Sequence, residues 1–143
     1  GLMTRLLKID MWIDDSHAIE YLADGLIIAT PVGSTAYSLS VGGPIVTPDL
    51  KAFIISPIAP HTLTNRPVVI GANQKLKFSF RRAPKEMALV FDGHEQVRVE
   101  ERSTVEIEVS DQSFPLISHS GRNFYYLLRR KLGWGEQPAQ RNR

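Results

Sequence analysis

The sequence predicts a mainly β protein, an antiparallel β-sandwich with a short helix after a Gly-Ser-Thr loop and a second helix near the C-terminus. Short apolar runs recur along the chain, glycine or proline stands in nearly every gap between them, and long crossover helices are missing from those gaps. A chain of 143 residues with 43% hydrophobic and 22% charged residues can bury its own core. We therefore expect one domain over residues 1–135 and a flexible basic tail over residues 136–143.

The predicted strands begin at Arg5. From Arg5 to Ile13 apolar and polar residues alternate, which is the period of a half-buried strand, and the turn residues 14–16 lead into a hairpin partner over 18–23. Gly25 to Ala29 is a continuous apolar run that Thr30-Pro31 ends. The remaining predicted strands are 52–55, 68–70, 75–80, 87–91, 97–99, 105–109 and 114–117.

Two segments have helical rather than strand periodicity. Ser34 to Leu39 offers Ser and Thr as N-cap residues, and Gly42-Gly43-Pro44 follows as a stop, so one or two helical turns are expected there. Arg122 to Leu132 repeats apolar residues at helical spacing, and Gly133 follows as a C-terminal stop.

Composition excludes several classes of function. The chain has no cysteine, which rules out disulfides and thiol nucleophiles and fits the cytoplasm, and no apolar run approaches the roughly 18 residues of a membrane span. Residues 1–121 carry 11 basic and 14 acidic side chains, so this part of the chain is slightly acidic. The pI of about 9.1 therefore arises from the basic residues after position 121. We expect neither a nucleic acid nor a membrane as partner. The histidines lack metal-ligand spacing, so no metal site is predicted.

Residues 30–44 concentrate hydroxyl groups and glycines. Glycine allows a backbone to approach a ligand closely, while Ser, Thr and Tyr supply neutral donors and acceptors that suit a nucleotide or a sugar hydroxyl. The alternative is a Ser/Thr-rich turn that caps a helix. The residues alone leave both interpretations open.

The order and spacing of several motifs resemble the NAD kinase family over roughly Arg5 to Gly135. The motifs are Asp24 to Pro31, Gly33 to Ser40, Gly42 to Val46, Pro57 to Leu63, Arg66 to Val69, Asp92-Gly93, and Phe124-Tyr125 through Leu128 to Trp134. The resemblance implies phosphoryl transfer from ATP or polyphosphate to the 2′-hydroxyl of the adenosine ribose of NAD, which gives NADP, with Mg²⁺ assisting.

In that family an N-terminal domain with a Gly-Gly-Asp-Gly-Thr motif carries the candidate base, and a C-terminal β-sandwich holds much of NAD. This sequence has no Gly-Gly-Asp-Gly-Thr motif. The resemblance therefore implies an NAD-binding, oligomerising domain without catalytic residues of its own. The alternative is a stand-alone dinucleotide-binding or regulatory β-domain.

The resemblance places eleven residues as NAD contacts: Arg5, Asp24, Val32, Thr35, Ala36, Tyr37, Ser38, Leu39, Ser40, Ala59 and His94. Asp24 has the alternative of capping the turn before Gly25, and an acid that leads into an apolar strand is costly if buried without a partner. Val32 and His94 depart from the family, which often has Ser or Thr at the first position and Gln at the second.

A homo-oligomer, either a dimer or a tetramer, is also implied by the resemblance. In the family the segment that contains Ala59 often reaches the dinucleotide across a subunit interface. We expect Ile54 to Ile58, with Ala59-Pro60, to supply that interface, since this segment is apolar.

Overall fold

The computed structural model describes residues 6–82, 84–117, 119 and 121–137. The chain divides into two compact units, residues 1–109 and residues 110–143. In chain order the elements are β1 (Leu7–Ile13), β2 (Ser16–Ala23), β3 (Gly25–Ala29), a 3₁₀ turn (Val32–Thr35), α1 (Tyr37–Ser40), β4 (Ala52–Ile58), β5 (Val68–Gly71), β6 (Leu76–Arg82), β7 (Ala88–Phe91), β8 (Glu95–Arg98), β9 (Thr104–Ile107) and α2 (Phe124–Leu132).

A four-stranded antiparallel sheet has the order β2-β1-β6-β9. Its β1–β2 hairpin confirms the prediction, and the turn places Asp14 and Asp15 at positive φ (46° and 65°), which aspartate tolerates better than most residues. On the face away from the core, Asp10 is 1% exposed and forms a hydrogen bond with His17 Nε2 at 2.8 Å and an ion pair with Arg81. These partners compensate a carboxylate that would otherwise be buried alone.

A three-stranded antiparallel sheet has the order β3-β4-β5, with β4 in the centre. The two sheets bury one shared core, whose fully buried members are Ile9, Met11, Tyr21, Phe53, Ile55, Leu76 and Phe78. Residues at alternate positions of each strand face this core, as the period of two requires. The predicted antiparallel sandwich is confirmed.

The third sheet is a hairpin of β7 and β8. Its turn places Asp92 and Gly93 at positive φ (49° and 75°), and His94 N–H donates to the Phe91 carbonyl oxygen at 3.0 Å. Two residues with positive φ match the right-handed twist of the strands that they join.

Two predictions about strand segments are wrong. Residues 114–117 form no strand; Pro115 lies inside this run and cannot donate to a strand ladder. The segment Ile54 to Ile58 is not an exposed interface, because it belongs to the central strand β4, and both Ile54 and Ile55 are 0% exposed. Strand β5 pairs with β4 only as far as Ile55, but β4 continues beyond this residue because its other neighbour, β3, still pairs with it there, for example Leu26 with Pro57.

In the unit 110–143, the predicted helix is confirmed as α2. Asn123 caps it, since its Oδ1 accepts from Tyr126 N–H at 2.9 Å, and Gly133 ends it in the left-handed conformation at φ 62°. Residues 138–143 of the predicted tail lie outside the described residues. Within the described ranges no helix is long and apolar enough to cross a membrane.

Candidate functional site

The hydroxyl-rich segment after β3 does not form the single helix expected from Ser34. The 3₁₀ turn is followed by a break at Ala36 (φ −95°, ψ −135°) and then by α1. Ser34 is not an N-cap: its hydroxyl is fully buried, donates to the Pro31 carbonyl oxygen at 2.6 Å and accepts from Val46 N–H at 3.0 Å. The loop is thereby tied to a residue twelve positions further along the chain.

Ser38 is the second inward hydroxyl of this segment. Its Oγ lies 3.0 Å from the Oγ of Ser56 on β4, and both side chains are at most 1% exposed. The Ser38 carbonyl oxygen accepts from Gly43 N–H at 2.8 Å. Gly43 must lack a side chain, because a Cβ there would overlap Ser38 Oγ and lie 2.9 Å from Ser56 Oγ. The segment is therefore packed tightly against β4.

Other side chains of the same segment face outwards. Tyr37 is 61% and Val32 52% exposed, and Ala36 and Ser40 are exposed as well. Tyr37 is exposed although its neighbour Ser38 is buried. Its side chain, an apolar ring with a polar hydroxyl, is thus available to a ligand or a partner. The exposed residues of this segment thus combine the phenol of Tyr37 with the hydroxyl of Ser40.

Asp24 and Ala59 lie side by side at the other end of β3. Asp24 N–H donates to the Ile58 carbonyl oxygen at 3.0 Å, and Ala59 follows Ile58 with φ at 44°. The sequence argument about a buried acid does not apply, because Asp24 is exposed. Among the described residues its carboxylate accepts no hydrogen bond, so the turn-capping role of Asp24 has no support.

The two groups of residues share the β3–β4 strand pair. Ile27 is the partner of Ser56 in the register, and Ser38 contacts Ser56, so α1 lies near the middle of β3. Asp24 is three positions before Ile27, which corresponds to about 10 Å along a strand. The β3–β4 strand pair thus holds α1 near its middle and the exposed Asp24 at the start of β3.

One predicted contact lies in a different sheet, and another lies outside the described residues. His94 is exposed at the tip of the β7–β8 hairpin and shares no sheet with Asp24 or Ala59. Arg5 lies outside the described residues. A cavity of about 430 Å³ at the base of the hairpin contains none of the candidate residues and is lined by Lys85, Glu86, Met87, Ala88, Gln96 and Arg98.

Sequence reasoning missed Ser56 and did not predict that Gly43 packs against the hydroxyls of Ser38 and Ser56. A signal for Ser56 was present: it is a lone hydroxyl residue inside the otherwise apolar run of β4. A buried hydroxyl needs a hydrogen-bond partner, so such a residue indicates a polar contact between elements.

Comparisons with known proteins agree on one family. The model of the ATP-NAD kinase C-terminal domain matches residues 1–119. An NAD kinase of Fusobacterium nucleatum subsp. nucleatum is 44% identical over 137 residues, which cover 95% of this chain and 51% of that protein. An NAD kinase of Trichlorobacter lovleyi is 38% identical over 138 residues, which cover 96% of this chain and 48% of that protein. The chain spans about half the length of these curated relatives.

Solved structures show the same fold. The crystal structure of an NAD kinase from Archaeoglobus fulgidus in complex with ATP has a TM-score of 0.68 and 31% identity, over 76% of this chain and 41% of that chain. The crystal structure of yeast NADH kinase complexed with NADH has a TM-score of 0.76 over 99% of this chain and 44% of that chain. At 22% sequence identity, this similarity concerns the fold alone.

Proposed function

This chain belongs to the NAD kinase family, as an ATP-NAD kinase C-terminal domain, and we propose that it supplies the NAD-binding part of such an enzyme. The enzyme would transfer a phosphoryl group from ATP or polyphosphate to the 2′-hydroxyl of the adenosine ribose of NAD, making NADP. The activity belongs to a protein about twice this length, as in the curated relatives. This domain would bind and orient the acceptor.

The observation that carries the proposal is that the same strand pair, β3 and β4, holds both the exposed Asp24 and the hydroxyl-rich helix α1. Asp24 presents a carboxylate that is exposed and accepts no hydrogen bond from the described residues, which suits the hydroxyl or amide donors of a dinucleotide. Tyr37 of α1 offers an exposed ring, which suits stacking with a flat heterocycle. A dinucleotide, which has hydroxyl and amide donors and two heterocyclic rings, suits these two kinds of group.

The remaining NAD contacts are proposed with different roles. Thr35, Ala36, Leu39 and Ser40 would contact the ligand from the loop and α1, with Val32 beside them. Ser38 would contribute through its position and backbone, since its hydroxyl is occupied by Ser56. The contacts of Arg5 and His94 stay predictions from the resemblance.

Among the described residues no three His, Asp or Glu side chains come together as a possible metal site. We therefore assign no ligand for Mg²⁺ to this domain. In the proposed enzyme Mg²⁺ would accompany the phosphates of the donor and neutralise their charge.

We also propose that the protein is a homo-oligomer, either a dimer or a tetramer. Support comes from the edge strand β5, where Val68 and Val69 are 39% and 45% exposed, and from the exposed Ala59 at the end of β4. Apolar side chains on an unpaired edge strand favour association. Light scattering at micromolar concentration should give a multiple of the chain mass, and a strictly monomeric mass would contradict this proposal.

A cytoplasmic location is proposed as well, because a chain without cysteine needs no oxidising compartment and the proposed reaction uses NAD and ATP. Cell fractionation with detection of the protein tests this location, and recovery with a membrane or an exported fraction would contradict it.

The substitution Asp24→Asn tests the ligand site. It keeps the shape of the side chain but replaces a charged acceptor with an amide, so a donor on NAD loses its best partner. Charge-assisted hydrogen bonds contribute about 1.5–3 kcal/mol, so the affinity for NAD should fall roughly tenfold or more. The midpoint of thermal unfolding should hardly change.

The measurement is calorimetric titration of NAD into the full-length product of the gene, with thermal melts beside it. Asp49→Asn is the matched control, because Asp49 is also exposed but lies outside the candidate site. Unchanged affinity together with a lower melting temperature for Asp24→Asn would assign Asp24 to the turn and not to the ligand.

A further inference from the structure

We propose that Ser56 is a positioning residue of the dinucleotide site, which acts through Ser38 to hold α1 in place on β4. This inference rests on the proposed function. Ser56 itself would not touch the ligand, because its side chain is 0% exposed and its hydroxyl is paired with that of Ser38 at 3.0 Å.

The short helix α1 depends on contacts outside itself. It has four residues, too few for a helix that is stable alone, and no side chain caps its N-terminus. The Ser38–Ser56 hydrogen bond joins it to β4, and the local bond from Gly43 N–H to the Ser38 carbonyl oxygen closes its C-terminal end. Both attachments converge on Ser38, so this residue fixes the helix.

Ser38 is buried while its neighbour Tyr37 is 61% exposed. Because the two residues are adjacent on one helical turn, a shift or rotation that releases Ser38 also displaces the Tyr37 ring. The inward hydrogen bond therefore determines where the outward ligand-facing residues lie.

Strand β4 links this anchor to the second half of the site. Ser56 precedes by two residues Ile58, whose carbonyl oxygen accepts from Asp24 N–H, and Ala59 follows directly. A single strand thus holds α1 at one point and Asp24 at another. The hydroxyl pair fixes the separation between the two halves, which a ligand spanning both halves requires.

The test compares Ser56→Ala, Ser38→Ala and the double variant in the full-length product of the gene, with NAD titrated by calorimetry. Each single variant leaves one buried hydroxyl without its partner, and we expect NAD to bind about fivefold more weakly. The double variant should also bind NAD about fivefold more weakly. Either single substitution already breaks the Ser38–Ser56 hydrogen bond, so the second substitution has no further bond to break.

Ile9→Val is the control for general destabilisation, because Ile9 is 3% exposed in the core strand β1 of the other sheet. It should lower the melting temperature and leave the affinity for NAD unchanged. If Ser56→Ala behaves in the same way, Ser56 is merely structural and the proposal is overturned. Multiplicative loss of affinity in the double variant also overturns it, since the two hydroxyls would then act independently.

Amide hydrogen exchange separates this proposal from the proposed function. In Ser56→Ala the amide of Gly43 should exchange faster, while amides of the β1–β6 ladder keep their rates. If the unaltered protein fails to bind NAD, the proposed function fails while exchange still reports on the anchor. Unchanged exchange at Gly43 in Ser56→Ala would show that Ser56 does not hold α1.

Discussion

The two adjacent glycines after α1 allow a sharp test of how the loop is packed. Gly42 has φ at 86° and no atom within 4 Å of a Cβ built there, so it needs glycine for its backbone conformation alone. Gly43 is the opposite case. Its φ lies outside the left-handed region, but a Cβ would overlap Ser38 Oγ, lie 2.7 Å from the Ser38 carbonyl oxygen and 2.9 Å from Ser56 Oγ.

The two alanine substitutions should therefore differ in size. Gly42→Ala forces a left-handed conformation on alanine, which costs about 1 kcal/mol of unfolding free energy. Gly43→Ala inserts a methyl group where backbone and two buried hydroxyls already meet, and overpacking of this kind costs about 3 kcal/mol. For a chain of this size the second change should lower the melting temperature by about 10 °C. It should also weaken NAD binding, because α1 must move away from β4.

The assay is thermal and denaturant unfolding of both variants and the unaltered protein, followed by titration with NAD. The expected order of unfolding free energy is unaltered protein, then Gly42→Ala, then Gly43→Ala. Equal losses for the two variants, or a larger loss for Gly42→Ala, would refute the claim that contact with Ser38 and Ser56 excludes a side chain at Gly43.

Three further predictions follow from other parts of the chain. Burial raises the pKa of Tyr21 above 10.0, so the folded state holds the phenolic proton more tightly and stability falls as the pH rises through that value; Tyr21→Phe should show a smaller alkaline loss in melts across this range. Asn123→Ala should destabilise α2 by about 1 kcal/mol and speed exchange of the Tyr126 amide, whereas Asn123→Ser should restore protection. The 143-residue chain alone, incubated with NAD, ATP and Mg²⁺, should form no NADP above the blank, because it lacks the Gly-Gly-Asp-Gly-Thr motif; clear turnover would contradict the assignment of catalysis to another part of the enzyme.

The sequence by itself determined the features that depend on near neighbours. The alternation in β1 and the paired aspartates of its turn are local signals, as are the helical spacing of α2 and Gly133 at its end. Each of these features arises from backbone conformation or periodicity within a few residues, so the pattern predicts it without knowledge of the rest of the chain. The motifs around the Gly-Ser-Thr loop also indicated the family before any coordinates were considered.

Only the tertiary structure decided which side chains of each segment are buried and which are exposed. From the sequence, Ser34 was expected to cap a helix and Ser38 to contact the ligand. In the structure the hydroxyl of Ser34 bonds to Val46, twelve residues away, and that of Ser38 bonds to Ser56, eighteen residues away. Both hydroxyls are therefore buried, while Tyr37 remains exposed. The same holds for Ile55, whose apolar run fits an interface as well as a core until β3 and β5 pair on both sides of β4. Burial depends on partners remote in the chain, and a local pattern contains no information about where those partners lie.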